Sequence, residues 1–273
     1  MPWTIIDTDT DTDTVQPYDY YNNSTVCLIL LAHRVHPRYP LILLANRDEV
    51  YARPTVPACF WPNAPDLLAG RDLVANGTWL GITKSGRWAA VSNFRHLKAD
   101  HPAVKSRGRL VTDFLTSTTP IDLYAKRQQT EGYYYNGFNL LLGEVDSLQS
   151  SSTYLTNYEQ QISTLSSGIY GVSNHLIDTD WEKVIRGKQQ LKTLIRNDVV
   201  KVNLLLEMMQ QRGQIPEEAL FITSDQYGTR STTLILVDQT GRVLFLERTY
   251  DLEDLSTDLN HSDVKFQFQL SLA

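Results

Sequence analysis

Six side chains of chemically useful type stand at the margins of short apolar runs. Cys27 opens "CLILLAHR", Arg47 and Asp48 close "LILLANRD", Asn93 closes "AAVSN", Asn174 closes "YGVSN", and Arg230 stands at the entry to "STTLILVD". If those ends converge, the site holds a thiol, two guanidinium groups, a carboxylate and two carboxamides, parts that suit acyl transfer. A cation beside a thiol favours its thiolate, so Arg47 can activate Cys27. Attack on a carbonyl builds an oxyanion, for which the Asn93 and Asn174 carboxamides are suitable fixed donors. The missing part is a base, since His33, His36, His96, His101 and His175 show no spacing to Cys27 that marks a Cys-His pair. Were Cys27 the first residue of the mature chain, its own α-amine, with an unperturbed pKa of about 7.7–8.0, would take the thiol proton, and Asp48 would hold that amine. Plainer readings stand beside these. Cys27 also suits ordinary packing, and Arg47 with Asp48 suits a solvated pair where a strand leaves the core.

The elements that must position these residues can be read from apolar periodicity. "VCLILLAHR" and "YPLILLAN", separated by "VHPR", read as a hairpin of strands covered on both faces. "TWLGITKSGRWAAVSNF" reads as a second hairpin whose turn uses Gly86 for a positive backbone angle. Residues 95 to 107 read as a loop, followed by helices over 108 to 118 and 120 to 131, the second opened by Pro120. Further strands are expected in "NGFNLLLGEV", "STYLTNYE" and "GIYGVSN". A helix over "DTDWEKVIRGKQQLKTLIRN" has an apolar face of Trp181, Val184, Ile185, Leu191, Leu194 and Ile195 behind an Asp-Thr cap. A second helix over about 199 to 212 and three closing strands complete the order. Strands, then helices, then strands suggest sheets with helical layers within one domain.

Bulk properties narrow the function classes. The chain is 42% hydrophobic and 21% charged, ordinary for a folded globular protein. Residues 1–26 hold five acids and no Lys or Arg, so nearly all of the net charge of −6 sits there. The Asp-Thr repeat in that segment has no helical or strand periodicity, so 1–26 is expected to be a disordered or spurious extension before a single domain over 27–273. No basic run suits nucleic acid, and the apolar runs are too short to span a bilayer. The acidic start lacks the positive region of a secretory signal, so a cytoplasmic location is expected. Cys59, among prolines and aromatics, reads as packing. No closely spaced Cys/His metal pattern and no GxGxxG or GxxxxGK[ST] segment occurs. Asp178-Thr179-Asp180 reads as a helix cap.

Taken in order, "CLILLAHRVHPRYPLILLANRDEVYARP", "GTWLGIT", "AAVSNFR", "YNGFNLLLGE", "YGVSN" and "YGTRSTTLILVD" resemble the NRDE-motif family, also called the transport and Golgi organisation protein 2 family. The resemblance runs from about Cys27 to the end. It implies an α+β, N-terminal nucleophile hydrolase-like fold, a four-layer αββα sandwich of two antiparallel sheets flanked by helices. Through the more distant choloylglycine hydrolase and penicillin V acylase group it also implies roles. Cys27 is similar to the nucleophile, Arg47 and Asp48 to the pair supporting its thiolate and amine, Asn93 and Asn174 to the oxyanion and amine-binding carboxamides, and Arg230 to a second arginine behind the nucleophile. Asn46 and Glu49 are expected to brace a turn. In the family the cysteine follows the initiator Met, whereas here it follows Val26. Two routes would expose it: self-cleavage between Val26 and Cys27, or translation from a GTG start codon read as Val26.

The expected function is therefore a cysteine hydrolase or acyltransferase acting on a small-molecule amide or thioester through an S-acyl intermediate, with no cofactor required. Trp61, Trp79, Phe94 and Phe138 are available to line an apolar pocket, although most suit the core. The resemblance also brings a second class: a non-catalytic protein that binds and traffics haem, acyl-CoA or lipid. Haem would ask for an axial ligand such as His33, His36, His175 or Cys27.

Overall fold

The computed structural model describes residues 27–95, 105–146, 150–215, 218–251 and 260–271. The 1–26 extension, His96 and His101 lie outside them. Among the described residues, thirteen strands form two sheets in which every neighbouring pair is antiparallel. The first sheet joins β1 (Leu28–His33), β2 (Leu41–Val50), β10 (Gly168–Val172), β11 (Tyr227–Val237), β12 (Arg242–Tyr250) and β13 (His261–Gln269) in the order β10-β1-β2-β11-β12-β13. The second runs in sequence order from β3 (Thr55–Trp61) through β4 (Ala64–Asp72), β5 (Leu80–Thr83), β6 (Arg87–Asn93), β7 (Phe138–Val145) and β8 (Ser150–Thr156) to β9 (Gln161–Thr164).

The period of two in β1 and β2 builds three of the layers. Ile29, Leu31, Leu41, Leu43 and Ala45 point between the sheets, where they meet Leu68, Ile82, Trp88, Leu141 and Tyr154 of the second sheet. Leu28, Leu30, Ala32, Ile42 and Leu44 point the other way, onto α3 (Glu182–Arg196) and α4 (Val202–Met209). On the far face of the second sheet, α1 (Gly108–Leu115) and α2 (Ile121–Glu131) bury Leu110, Phe114, Tyr124 and Ala125. The result is the α+β, four-layer αββα sandwich of two antiparallel sheets flanked by helices.

Three details differ from the sequence reading. β3, β4 and β9 lie where no strand is expected: Pro57, Pro62 and Pro65 break the apolar pattern of the first two, and β9 is a four-residue, largely polar strand. Pro57 is tolerated because β3 is an edge strand with a register shift between Val56 and Cys59. The Asp-Thr-Asp segment does not cap α3: the N-cap is Trp181 without a side-chain bond, and Asp178 instead accepts the Gly171 N–H at 2.8 Å and pairs with Lys188 at 2.7 Å. Above all, β2 does not end at Ala45. It continues through Asn46, Arg47 and Asp48, all three buried, to Val50, so no turn is there for Asn46 and Glu49 to brace. Gly86 does adopt a φ of +87°, and a Cβ there would lie 2.0 Å from the Val145 carbonyl oxygen.

Candidate active site

The alternation that sorts the core also sorts the polar end of β2. Arg47 follows Leu43 and Ala45 toward the second sheet, while Asn46 and Asp48 follow Ile42 and Leu44 toward the helices. Asn46 donates to the carbonyls of Met209 at 2.9 Å and Leu220 at 2.6 Å and accepts from the Thr232 hydroxyl at 2.7 Å. It thereby closes the C-terminal end of α4, whose last carbonyls have no helical partner.

Arg47 donates to Asp72 at 3.1 Å and to Thr55 Oγ1 at 3.3 Å, and its guanidinium lies 4.4 Å over the Trp79 ring. Trp79 lies flat there because residue 70 is glycine; a Cβ would meet its ring at 2.5 Å. Asp72 also takes Arg53 Nε at 2.5 Å. Burial alone would raise the Asp72 carboxyl, but the Arg53 bond and the two arginine charges hold it below the usual range. Glu49 lies 3.7 Å from Arg47 and 3.6 Å from Arg53.

Asp48 is buried beside Thr229, which donates to Oδ1 at 2.5 Å, while Oδ2 has no hydrogen-bond partner among the described residues. Burial pushes its carboxyl up to about 7 against the pull of Lys183, a fully buried lysine on α3. The Cys27 thiol sits 3.7 Å from the Asp48 backbone carbonyl. The residue as a whole is half-buried, yet burial is the largest push on its thiol, with the Asp48 charge second, and together they raise it to about 12. Arg47, turned toward Asp72 and Trp79, lowers it least of the contributing groups. The thiol is thus held protonated and needs a base to react.

Asn93 and Asn174 meet through a repeated tripeptide. "VSN" occurs at 91–93, ending β6, and at 172–174, leaving β10. The two copies interlock: Ser92 Oγ donates to the Ser173 carbonyl at 2.6 Å, and Asn174 Nδ2 donates to the Asn93 carbonyl at 2.9 Å. Ser173 Oγ in turn donates to the Cys27 carbonyl at 2.7 Å, which ties the clasp to the start of β1. Asn139 braces it, donating to the carbonyls of Ser173 at 3.2 Å and His175 at 3.0 Å while accepting from Tyr154 at 2.7 Å. The Asn174 carboxamide is therefore engaged with the backbone, whereas the Asn93 carboxamide makes no hydrogen bond among the described residues.

Arg230 sits in the register shift where β11 passes β2 between Thr229 and Ser231. Its Nη1 donates to the Arg53 carbonyl and, at 3.3 Å, to Thr55 Oγ1, so Arg47 and Arg230 converge on one hydroxyl. Ser92, Ser173, Asn139 and Thr229 were not singled out from sequence. The duplicated "VSN" is the signal that could have found the two serines; Asn139 and Thr229 carry no such mark.

Residues 26–252 match the family model described as "Transport and Golgi organisation 2". The chain belongs to the transport and Golgi organisation 2 family. The mouse and human Transport and Golgi organization 2 homologues are each 34% identical over 264 residues, covering 85% of this chain and 95% of theirs. The Drosophila melanogaster Transport and Golgi organization protein 2 is 26% identical, covering 89% and 99%. Among solved structures, a Caenorhabditis elegans N-acylethanolamine-hydrolyzing acid amidase orthologue is similar at a TM-score of 0.46 and 12% identity, covering 77% of this chain and 92% of that one. A mutant conjugated bile acid hydrolase from Clostridium perfringens is similar at 0.49 and 10%, covering 90% and 99%.

The histidines of this family member considered as haem ligands are scattered. His33 is buried between the sheets, bonded through Nδ1 to Ser152. His36, in the β1–β2 turn, accepts the backbone N–H groups of Arg38 at 3.0 Å and Tyr39 at 3.2 Å on Nδ1. His175 shares Nδ1 with Thr179 at 2.9 Å. No helix among the described residues is long and apolar enough to cross a membrane. Phe94, Phe138 and Trp61 are core residues, and Trp79 serves as the platform for Arg47.

Proposed function

We propose that this family member is a cysteine hydrolase or acyltransferase that cleaves an amide or thioester through an S-acyl intermediate on Cys27, once Cys27 is the first residue of the mature chain. The observation that supports this most is the Asp48 carboxylate: buried, satisfied by Thr229 on one oxygen and unpartnered on the other, with its own peptide carbonyl 3.7 Å from the thiol. An unpartnered buried carboxylate oxygen is costly unless a donor completes it. The α-amino group of a terminal Cys27, whether free amine or ammonium, supplies that donor. In the reaction the free amine takes the thiol proton, sulfur attacks the carbonyl carbon, and the proton passes from the ammonium to the departing amine or thiol. Water or a second acceptor then gives a proton to the amine and attacks the S-acyl carbon, the C–S bond breaks, and the proton passes from the ammonium to the departing Cys27 sulfur as the acid or new acyl product leaves. The Asn93 carboxamide is the free donor for the oxyanion, while Asn174 and Ser173 fix the backbone around it. Arg47 holds the second sheet against the site.

The test has two steps. Intact mass and N-terminal sequencing of the protein expressed from its native gene should show a chain beginning at Cys27. That chain should turn over an acyl-p-nitroanilide or an acyl thioester, and Cys27→Ala and Cys27→Ser should each abolish turnover with the circular-dichroism spectrum unchanged. Full activity in both variants overturns the proposal. Saturable haemin or acyl-CoA binding by a chain that keeps residues 1–26 and turns nothing over would favour the binding class instead.

A further inference from the structure

The charges at the polar end of β2 do not pair off evenly. Arg47 and Arg53 share Asp72 and Glu49. Arg230 makes no ion pair with a carboxylate among the described residues; its hydrogen bonds there run from Nη1 alone, to one carbonyl and one hydroxyl. Burial and the repulsion of Arg47 are the two largest effects on it and lower its pKa, outweighing the opposite pull of Glu49 and Asp72, which Arg47 and Arg53 already engage. A half-buried guanidinium held beside two others is a costly arrangement unless an anion completes it. The side chain is also held in place. The register shift turns residue 230 out of the ladder, and Thr55 and the Arg53 carbonyl fix one nitrogen, leaving the others of the planar fork to address a ligand. Thr229 pairs with Asp48 in the ladder, and the Asp48 carbonyl touches the thiol, so this fork stands one residue along from the reacting end.

We infer that the substrate carries an anionic oxygen group, carboxylate or phosphate, close to the bond that is cleaved, and that Arg230 with Thr55 seats it. This deepens the proposed function and rests on it for Cys27 as the reacting residue. A small neutral amide would leave Arg230 without a carboxylate or phosphate in direct contact, whereas an anion there turns its unused N–H groups into charge-assisted hydrogen bonds.

The experiment separates this inference from the question of turnover by measuring binding to the full chain carrying Cys27→Ala. Two matched pairs serve as probes in calorimetry: N-dodecanoylglycine against its methylamide, and N-dodecanoyl-3-aminopropyl phosphate against N-dodecanoyl-3-aminopropanol. The anionic member of at least one pair should bind about tenfold more tightly, as one charged hydrogen-bonded contact implies, and which pair shows the gap tells carboxylate from phosphate. Arg230→Gln should close the gap, Arg230→Lys should restore part of it, and rising ionic strength should narrow it. Equal binding within both pairs, including no binding by any of the four, overturns the inference. So does a gap that persists in Arg230→Gln. Should that variant fail to fold, a gap in the parent chain that ignores ionic strength is the overturning result. Failure of the Cys27 chain to hydrolyse any amide or thioester counts against the proposed function and leaves this binding result to be read by itself.

Discussion

Two buried carboxyls set the behaviour of single residues here. Glu247 on β12 faces the second sheet, accepting the Ala58 N–H at 2.7 Å and the Thr233 hydroxyl at 3.4 Å, and burial pushes it up to about 7. Its folded pKa lies above the unfolded carboxyl value, so its contribution to stability is complete below about pH 4 and is lost as pH rises through 7. Glu247→Gln removes that dependence. The variant should match the parent at pH 5 and gain on it by about 2 kcal/mol at pH 8, read from urea denaturation at both. A difference that is the same at the two pH values would show that Glu247 is already ionised at pH 5. Asp48, also raised to about 7, changes the same balance on the other face of that sheet. A terminal amine beside it would draw its pKa down, so the mature and extended chains should differ in pH profile.

At the scale of elements, β2 is a joint between layers. Asn46 joins it to α4 and to the Leu220 carbonyl, and Arg47 joins it to β3 and β4 through Thr55 and Asp72. Asn46→Ala leaves two buried carbonyls and the Thr232 hydroxyl without this partner, at a cost of about 3 kcal/mol in chemical denaturation. An effect near zero would mean that water fills the gap. Much of this level was legible in the sequence. The two hairpins, the four helices and the later strands follow from periodicity, because apolar runs of strand length and the Gly86 turn are local signals. The failures are local too: prolines hid β3 and β4, and polar side chains concealed the rest of β2. Residue type alone cannot tell a polar strand terminus from a polar strand interior. What distinguishes them is partners from far away in sequence, such as Thr229 for Asp48 and Met209 for Asn46. The Asn139 brace was hidden for the same reason, whereas the duplicated "VSN" marks Ser92 and Ser173 in the sequence itself.

Across the whole molecule, the two sheets are held together by an extensive apolar core and by a few polar bridges. One is His33 on β1, bonded to Ser152 on β8 and buried, with its pKa lowered to about 4. The sign is opposite to that of Glu247: this stability is complete above about pH 6.5 and is lost as pH falls toward 4, because the unfolded chain takes up the proton first. His33→Gln should be less sensitive to acid, so that the difference in stability between parent and variant shifts by about 2 kcal/mol between pH 7 and pH 4.5. Equilibrium denaturation at the two values checks it, and a parallel loss in both chains would place the acid sensitivity elsewhere.

Arg47 and Asp48 are neighbours in sequence, yet one reaches the second sheet and the other faces Thr229 and the helical layer. The two sides of the strand are therefore open to separate change over evolution. Substitutions on β3 and β4 can change the surroundings of Arg47 without disturbing Asp48, and changes in α3 can retune Asp48 without altering the partners of Arg47. An insertion or deletion of one residue within 41–48 would exchange the two sides at once. Descendants of this chain should accordingly vary in side chains along this strand's neighbours while keeping its length fixed.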